Sequence, residues 1–141
     1  MAVAGAGVLL LGPPGSGKSD LALRLVDQPG SGIGGMIMTS LLLADDQVLV
    51  RRAGAELFAS APATIAGLLE IRGIGPVAVA HAGEVVLRLA VRLKPAAEIE
   101  RLPPPQGIDI LGVRLPLAEI DPAAASAPAR LRAALGLLTQ P

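Results

Sequence analysis

The segment Gly12-Pro13-Pro14-Gly15-Ser16-Gly17-Lys18-Ser19 has the residue types and spacing of a polyphosphate cradle, G-x-x-x-x-G-K-[ST]. Glycines let consecutive backbone N–H groups turn inward and approach phosphate oxygens with no Cβ in the way. A helix beginning at Lys18 directs its positive dipole end and its free amides at the same anion. Lys18 is then placed to reach the β- and γ-phosphates of a nucleotide, and the Ser19 hydroxyl to ligate Mg²⁺. The motif lies between a hydrophobic run and an amphipathic one, the strand–loop–helix context that this mechanism needs.

A second group follows in Leu41-Leu42-Leu43-Ala44-Asp45-Asp46. In phosphate-loop enzymes an acidic residue that ends a neighbouring hydrophobic strand holds the metal, and an adjacent carboxylate can act as general base toward an attacking hydroxyl. Successive strand residues face opposite sides, so Asp45 and Asp46 can serve one site only where the pleat ends. Asp-Asp pairs also favour plain solvated turns. Taken alone, Glu70-Ile71-Arg72-Gly73-Ile74-Gly75 reads as a surface charge pair before a glycine bend, and Arg101 as a solvated loop residue. His81, the only histidine, reads as a surface site with no assigned role.

These side chains need elements to position them. Val8–Leu11 reads as a buried strand entered by a turn at Gly5-Ala6-Gly7. A helix spans about Lys18 to Val26, with Leu21, Leu25, Ala22 and Val26 inward and Arg24 outward, and Gln28-Pro29-Gly30 stops it. Ser31–Thr39 carries no clear pattern. Leu41–Ala44 is a buried strand, Gln47–Arg52 continues extended, and Ala53-Gly54 turns the chain toward Glu56–Ser60. Ala61–Leu69 contains a helical turn, and Ile71–Ala80 is a loop leading into a strand. Val85–Leu93 alternates as a half-exposed strand, with Leu87 and Leu89 on one side. Pro95–Gly107 is a loop and Ile108–Leu117 another strand. A terminal helix covers Pro128–Leu138, with Leu131, Leu135 and Leu138 inward and Arg130 and Arg132 outward. The expected class is α/β: a phosphate-loop mixed sheet with flanking helices, in a single domain over residues 1–141.

Composition narrows the function. One Phe and no Tyr or Trp leave an aliphatic core, with few rings on which bases could stack. Twelve basic and twelve acidic residues cancel, so the basic surplus of a nucleic-acid binder is missing. Without cysteine, disulfides, thiolate catalysis and cysteine-based zinc sites are excluded, and a cytoplasmic location is the expectation. Mean hydropathy is high, at +0.60. Gly, Pro or charge nevertheless cuts every apolar run short of the ~20 residues that a spanning helix needs, so no membrane partner is expected.

The run Gly7–Gly12 into Gly15–Asp20, then Leu43-Ala44-Asp45-Asp46, Leu69-Glu70-Ile71-Arg72-Gly73-Ile74-Gly75 and Glu100-Arg101-Leu102, resembles the catalytic domain of HPr kinase/phosphorylase. The Leu-Glu-Ile-Arg-Gly-Ile-Gly stretch is its most discriminating part. The fold the resemblance implies is the HPr kinase/PEP carboxykinase type, in a short single-domain form. The activity it implies is ATP-dependent phosphorylation of a serine on HPr, the phosphocarrier of the bacterial sugar phosphotransferase system. A reverse reaction in which phosphate attacks phosphoserine would yield pyrophosphate. Asp46 then matches the catalytic aspartate, Asp45 and Glu70 match acidic residues at the metal site beside Ser19, and Arg101 matches a mobile-loop arginine on the transferred phosphate. Lys18 and the Gly12–Ser19 backbone would hold ATP or pyrophosphate, with Mg²⁺. A homo-hexamer is also implied. The chain departs from the pattern at Pro14, where serine is usual, in a longer glycine-rich Ser31–Thr39, and in not reaching an upstream histidine. Two other activities suit the same residues: a small-molecule phosphotransferase, and a nucleotide-sensing module without turnover.

Overall fold

The computed structural model describes residues 1–139. Strand β1 (Ala2–Val3) turns at Ala4-Gly5 into β2 (Ala6–Leu11), which leads through the glycine loop to helix α1 (Lys18–Asp27). Strand β3 (Ser40–Leu41) precedes two hairpins, β4 (Leu49–Ala53) with β5 (Glu56–Ser60), and β6 (Leu68–Ile71) with β7 (Gly75–Ala78). Then come β8 (Val85–Leu93), the hairpin of β9 (Gln106–Ile110) with β10 (Val113–Ile120), and helix α2 (Ala127–Leu138).

The main sheet runs β3-β1-β2-β8-β10-β9, with β4–β5 attached through β5 to the start of β8. Strands β2, β8 and β10 are mutually parallel and the remaining pairs antiparallel. Parallel strands end at one edge of a sheet, so the loops after β2, β8 and β10 emerge side by side. That edge is where ligands bind in α/β sheets.

Each face carries its own aliphatic core. Val8, Leu89, Val91, Leu93 and Ile120 pack with Leu21 and Leu25 of α1 and Leu131 and Leu135 of α2. Leu87, Leu115, Leu57, Ala59 and Leu43 form the second cluster, with Leu9 against it. Strict alternation would put Leu87 and Leu89 together, as the sequence suggests. They separate because Gly7 pairs with Leu87 while Val8 pairs with Leu89, which leaves Arg88 as an extra residue in a bulge. Gly7 makes the bulge possible: a Cβ there would lie 2.8 Å from Val86 O and 3.1 Å from Leu87 Cα. Covered on both faces and flanked by β2 and β10, β8 is also far less exposed than its alternation suggests, with Leu89, Ala90 and Val91 fully buried.

Other expectations are corrected. Ile108–Leu117 is not one strand, because Leu111 and Gly112, both at positive φ (49° and 81°), close a two-residue hairpin. Arg52 braces that turn, donating to Leu111 O at 2.9 Å. Leu42 makes only an isolated bridge to His81, so the expected Leu41–Ala44 strand shrinks to Ser40–Leu41. Leu68–Ile71 is a strand, paired with β7 in a separate two-stranded sheet. In α2, Leu138 is exposed and Arg132 is buried, the reverse of the expected faces. The Arg132 guanidinium donates to Leu25 O at 3.4 Å and to Gln28 O. A cation is favourable there, where the carbonyls at the end of α1 lack helical partners. Arg24 is likewise no outward residue; it donates to Pro122 O and to Ala124 O.

Two predictions follow from the packing. Gly7→Ala should cost about 1–3 kcal/mol in chemical denaturation, whereas Gly34→Ala, whose nearest neighbour is Ser31 O at 3.6 Å, should be near neutral; equal effects would contradict the bulge argument. At the end of β10, Lys94 Nζ lies 2.9 Å from Glu119 Oε2, and this hydrogen bond holds the Glu119 carboxyl below its ordinary 4.5. A depressed folded-state pKa contributes stability above 4.5 that is lost as pH falls through the folded value. Glu119→Gln should therefore flatten the acid limb of a stability–pH curve.

Candidate functional site

The loop after β2 is built on left-handed glycines, Gly15 at φ 79° and Gly17 at φ 100°, conformations that L side chains adopt only with strain. Ser16 N donates to Pro13 O at 3.1 Å, tightening the turn. Gly17 is the N-cap of α1, and among the described residues no side chain caps the helix. The first amides of α1 therefore face the loop without an internal acceptor, the arrangement that accepts an anion. Space is limiting at two glycines. A Cβ at Gly12 would collide with Ser16 Oγ, and one at Gly17 would sit 3.1 Å from the Pro122 ring.

Lys18, half-buried, folds back over this loop and donates to Gly12 O, with Pro13 O at 3.5 Å. It joins none of the ion pairs formed among the described residues, and its direct hydrogen-bond partners are main-chain carbonyls. An incoming anion would replace those carbonyls with a full counter-charge.

Asp45 ties three segments together. Its Oδ1 accepts from Ser19 Oγ at 2.8 Å, its Oδ2 from the Glu70 amide at 2.9 Å, and its main-chain carbonyl from Gln47 N at 2.8 Å. Asp46 follows at φ 70°, a left-handed state that Asp tolerates better than most residues. This reversal takes Asp46 out of strand geometry, which resolves the face problem posed by the sequence. Asp45, Asp46 and Lys18 all line one cavity of about 120 Å³ between the start of α1 and the Leu43–Val48 segment.

The structure thus brings Lys18, Ser19, Asp45 and Asp46 together. Glu70 is adjacent through its main chain, while its side chain is exposed. Arg101 is exposed on the connection that leaves β8 at the same sheet edge, where Leu11 pairs with Arg92. Glu70, Arg101, Ser19 and the loop residues 12–17 do not line the cavity, which Lys18 alone of the motif reaches. Gln47 and Val48 do line it; no motif marks them, and only their place after Asp46 could have pointed to them. Among the described residues no group of three or more His, Cys, Asp or Glu side chains could hold a metal. A hydroxyl beside one carboxylate does fit Mg²⁺, which takes one or two protein ligands and fills its octahedron with phosphate oxygens and water.

Residues 1–126 match the family model of the HPr serine kinase C-terminal domain. The HPr kinase/phosphorylases of Burkholderia cenocepacia (strain HI2424) and Paraburkholderia phymatum are each 35% identical to the chain over 129 residues, covering 84% of it and 36% of the relative. The chain therefore spans about a third of the length of these curated relatives. The solved structure of the Hpr(Ser) kinase/phosphatase from Coxiella burnetii shares the fold, with a TM-score of 0.75 at 23% identity over 94% of this chain and 87% of that one.

The two aspartates should separate in a stability assay. Asp45→Ala leaves the Ser19 hydroxyl and the Glu70 amide without their acceptor and should cost about 1–2 kcal/mol. Asp46→Gly relieves a left-handed residue and should be neutral or slightly stabilising. Equal losses in urea melts would contradict the assigned contacts.

Proposed function

Because the chain belongs to the HPr serine kinase C-terminal-domain family, we propose that it transfers the γ-phosphoryl group of ATP to a serine hydroxyl on an HPr-type phosphocarrier in the cytoplasm. The observation that carries this reading is the shared cavity: Lys18, the first residue of the uncapped helix α1, lines it together with Asp45 and Asp46. The names of the 35%-identical relatives support the choice of acceptor.

In the proposed reaction the amides of Gly15–Ser19 and the Lys18 ammonium bind and orient the β- and γ-phosphates. Ser19 and Asp45 would hold Mg²⁺, with Glu70 near that site through its main-chain contact with Asp45. When bound, the metal neutralises charge on the phosphates. Asp46 accepts the proton of the attacking serine, and its exposure leaves its carboxylate open to an acceptor protein. Arg101, on its loop at the same edge, supplies positive charge to the group in transfer. Little covalent chemistry falls to the protein in such a reaction, which proceeds by positioning and electrostatic stabilisation. Phosphate attacking phosphoserine, with release of pyrophosphate, would use the same groups in reverse. The family likeness also supports a homo-hexameric assembly.

The test is incubation with Mg-ATP and a panel of HPr-type proteins, with phosphoserine read by mass spectrometry. Asp46→Asn should lower transfer by roughly 10²-fold or more while nucleotide affinity stays within about twofold. Lys18→Ala should lose both. Parent-like transfer by Asp46→Asn would remove Asp46 as the base, and phosphorylation of a metabolite with none of the carriers would favour a small-molecule kinase.

A further inference from the structure

The turn between β10 and α2, Asp121–Ala124, touches two pieces of the site that are far apart in sequence. On one side it is fastened to α1. Arg24 donates through one terminal nitrogen to Ala124 O at 3.2 Å and through the other to Pro122 O, and the second nitrogen also lies 2.9 Å from Asp20 Oδ2. The Pro122 ring lies 3.1 Å from the position that a Gly17 Cβ would take, so the turn packs close against the N-cap of α1. On the other side the Asp121 carboxylate divides its oxygens. Oδ1 accepts from Ala123 N at 2.9 Å, closing the turn, and Oδ2 accepts from Ala96 N at 3.1 Å. Ala96 opens the 3-10 turn Ala96–Glu98 at the root of the loop that carries Arg101. Hydrogen bonds from Lys94 N to Ile120 O, at 3.1 Å, and from Ile99 N to Ala96 O, at 3.1 Å, continue the connection on either side of Ala96.

We propose that Asp121 is a positioning residue: its carboxylate straps the root of the Arg101 loop to the turn that Arg24 and Pro122 hold against the phosphate loop. The two cationic arms of the site, Lys18 and Arg101, then share one rigid mount. The role proposed for Asp121 is carried by the loop and needs no contact with nucleotide or acceptor. Its bearing on catalysis rests on the role given to Arg101 above, but the strap itself does not.

An ionised carboxylate accepts at both oxygens, whereas an amide side chain has one acceptor oxygen. Asp121→Asn therefore cannot hold Ala96 N and Ala123 N together. Trypsin reads the strap independently of function. Cleavage after Arg101 should rise about tenfold, the scale of one lost charge-assisted hydrogen bond. Cleavage after Arg72, exposed in the β6–β7 turn, should be unchanged. In the transfer assay the same variant should lower kcat several-fold and leave KM for ATP within about twofold, a split that general loosening of the fold would not produce. In the unmutated protein the Ala96 amide should exchange slowly with deuterated solvent, which keeps the idea testable even where the variant fails to fold. Unchanged cleavage at Arg101, or a fast-exchanging Ala96 amide, overturns the strap. Failure of the parent protein to phosphorylate any carrier overturns the functional reading, and the cleavage and exchange results still decide the strap.

Discussion

At the junction of β2 and α1, main-chain amides converge, and among the described residues no side chain caps them. Gly15 and Gly17 in left-handed conformations turn the backbone inward, and α1 begins at Lys18 without a capping side chain. Convergent N–H groups and the helix dipole create a local excess of positive potential. Much of the surrounding architecture holds this arrangement in place. The parallel β2–β8 pair fixes where the loop emerges. Leu21 and Leu25 anchor the buried face of α1, and Arg132 occupies its far end. Pro122 fills the space beside Gly17. Opposing a concentrated positive site costs less when the donors are part of a rigid scaffold, because no reorganisation is needed as the anion arrives.

Asp45 is the counterpart of that cradle. By accepting from Ser19 and from the Glu70 amide it joins the start of α1 to the small β6–β7 sheet, which is separate from the main one. A negative charge near a helix N-terminus is favourable, so Asp45 also stabilises the element it helps to place. Asp46, beside it but exposed and left-handed, carries no such structural duty. In the proposed reaction this division leaves one carboxylate as a fixture and the other free for proton transfer.

Local signals were legible where chemistry and conformation coincide. The Gly12–Ser19 motif, the inward Leu21 and Leu25, the stop at Gln28 and the β4–β5 turn at Gly54 all depend on neighbouring residues, and the structure has them as the sequence implies. What was not legible depends on partners distant in the chain. The Arg88 bulge exists because Gly7 meets β8. Leu111 takes φ 49° in a hairpin braced by Arg52, although a Leu-Gly pair is a weak turn signal beside Asn-Gly. Arg24 and Arg132 look like solvated helix residues until the carbonyls of Pro122 and Gln28 come into view. The sequence also marked Lys18, Ser19, Asp45 and Asp46, which the structure brings near one another, but nothing near Asp121 in sequence marked its contacts.

The most direct measurement is a titration of isotopically labelled protein with pyrophosphate and then Mg-ATP, following backbone amide resonances. The account predicts saturable shifts concentrated at Gly15, Ser16, Gly17, Lys18 and Ser19, with Asp45 and Glu70 joining once magnesium is added. Resonances of those loop amides that stay unmoved, or shifts confined to surfaces remote from the start of α1, would contradict it.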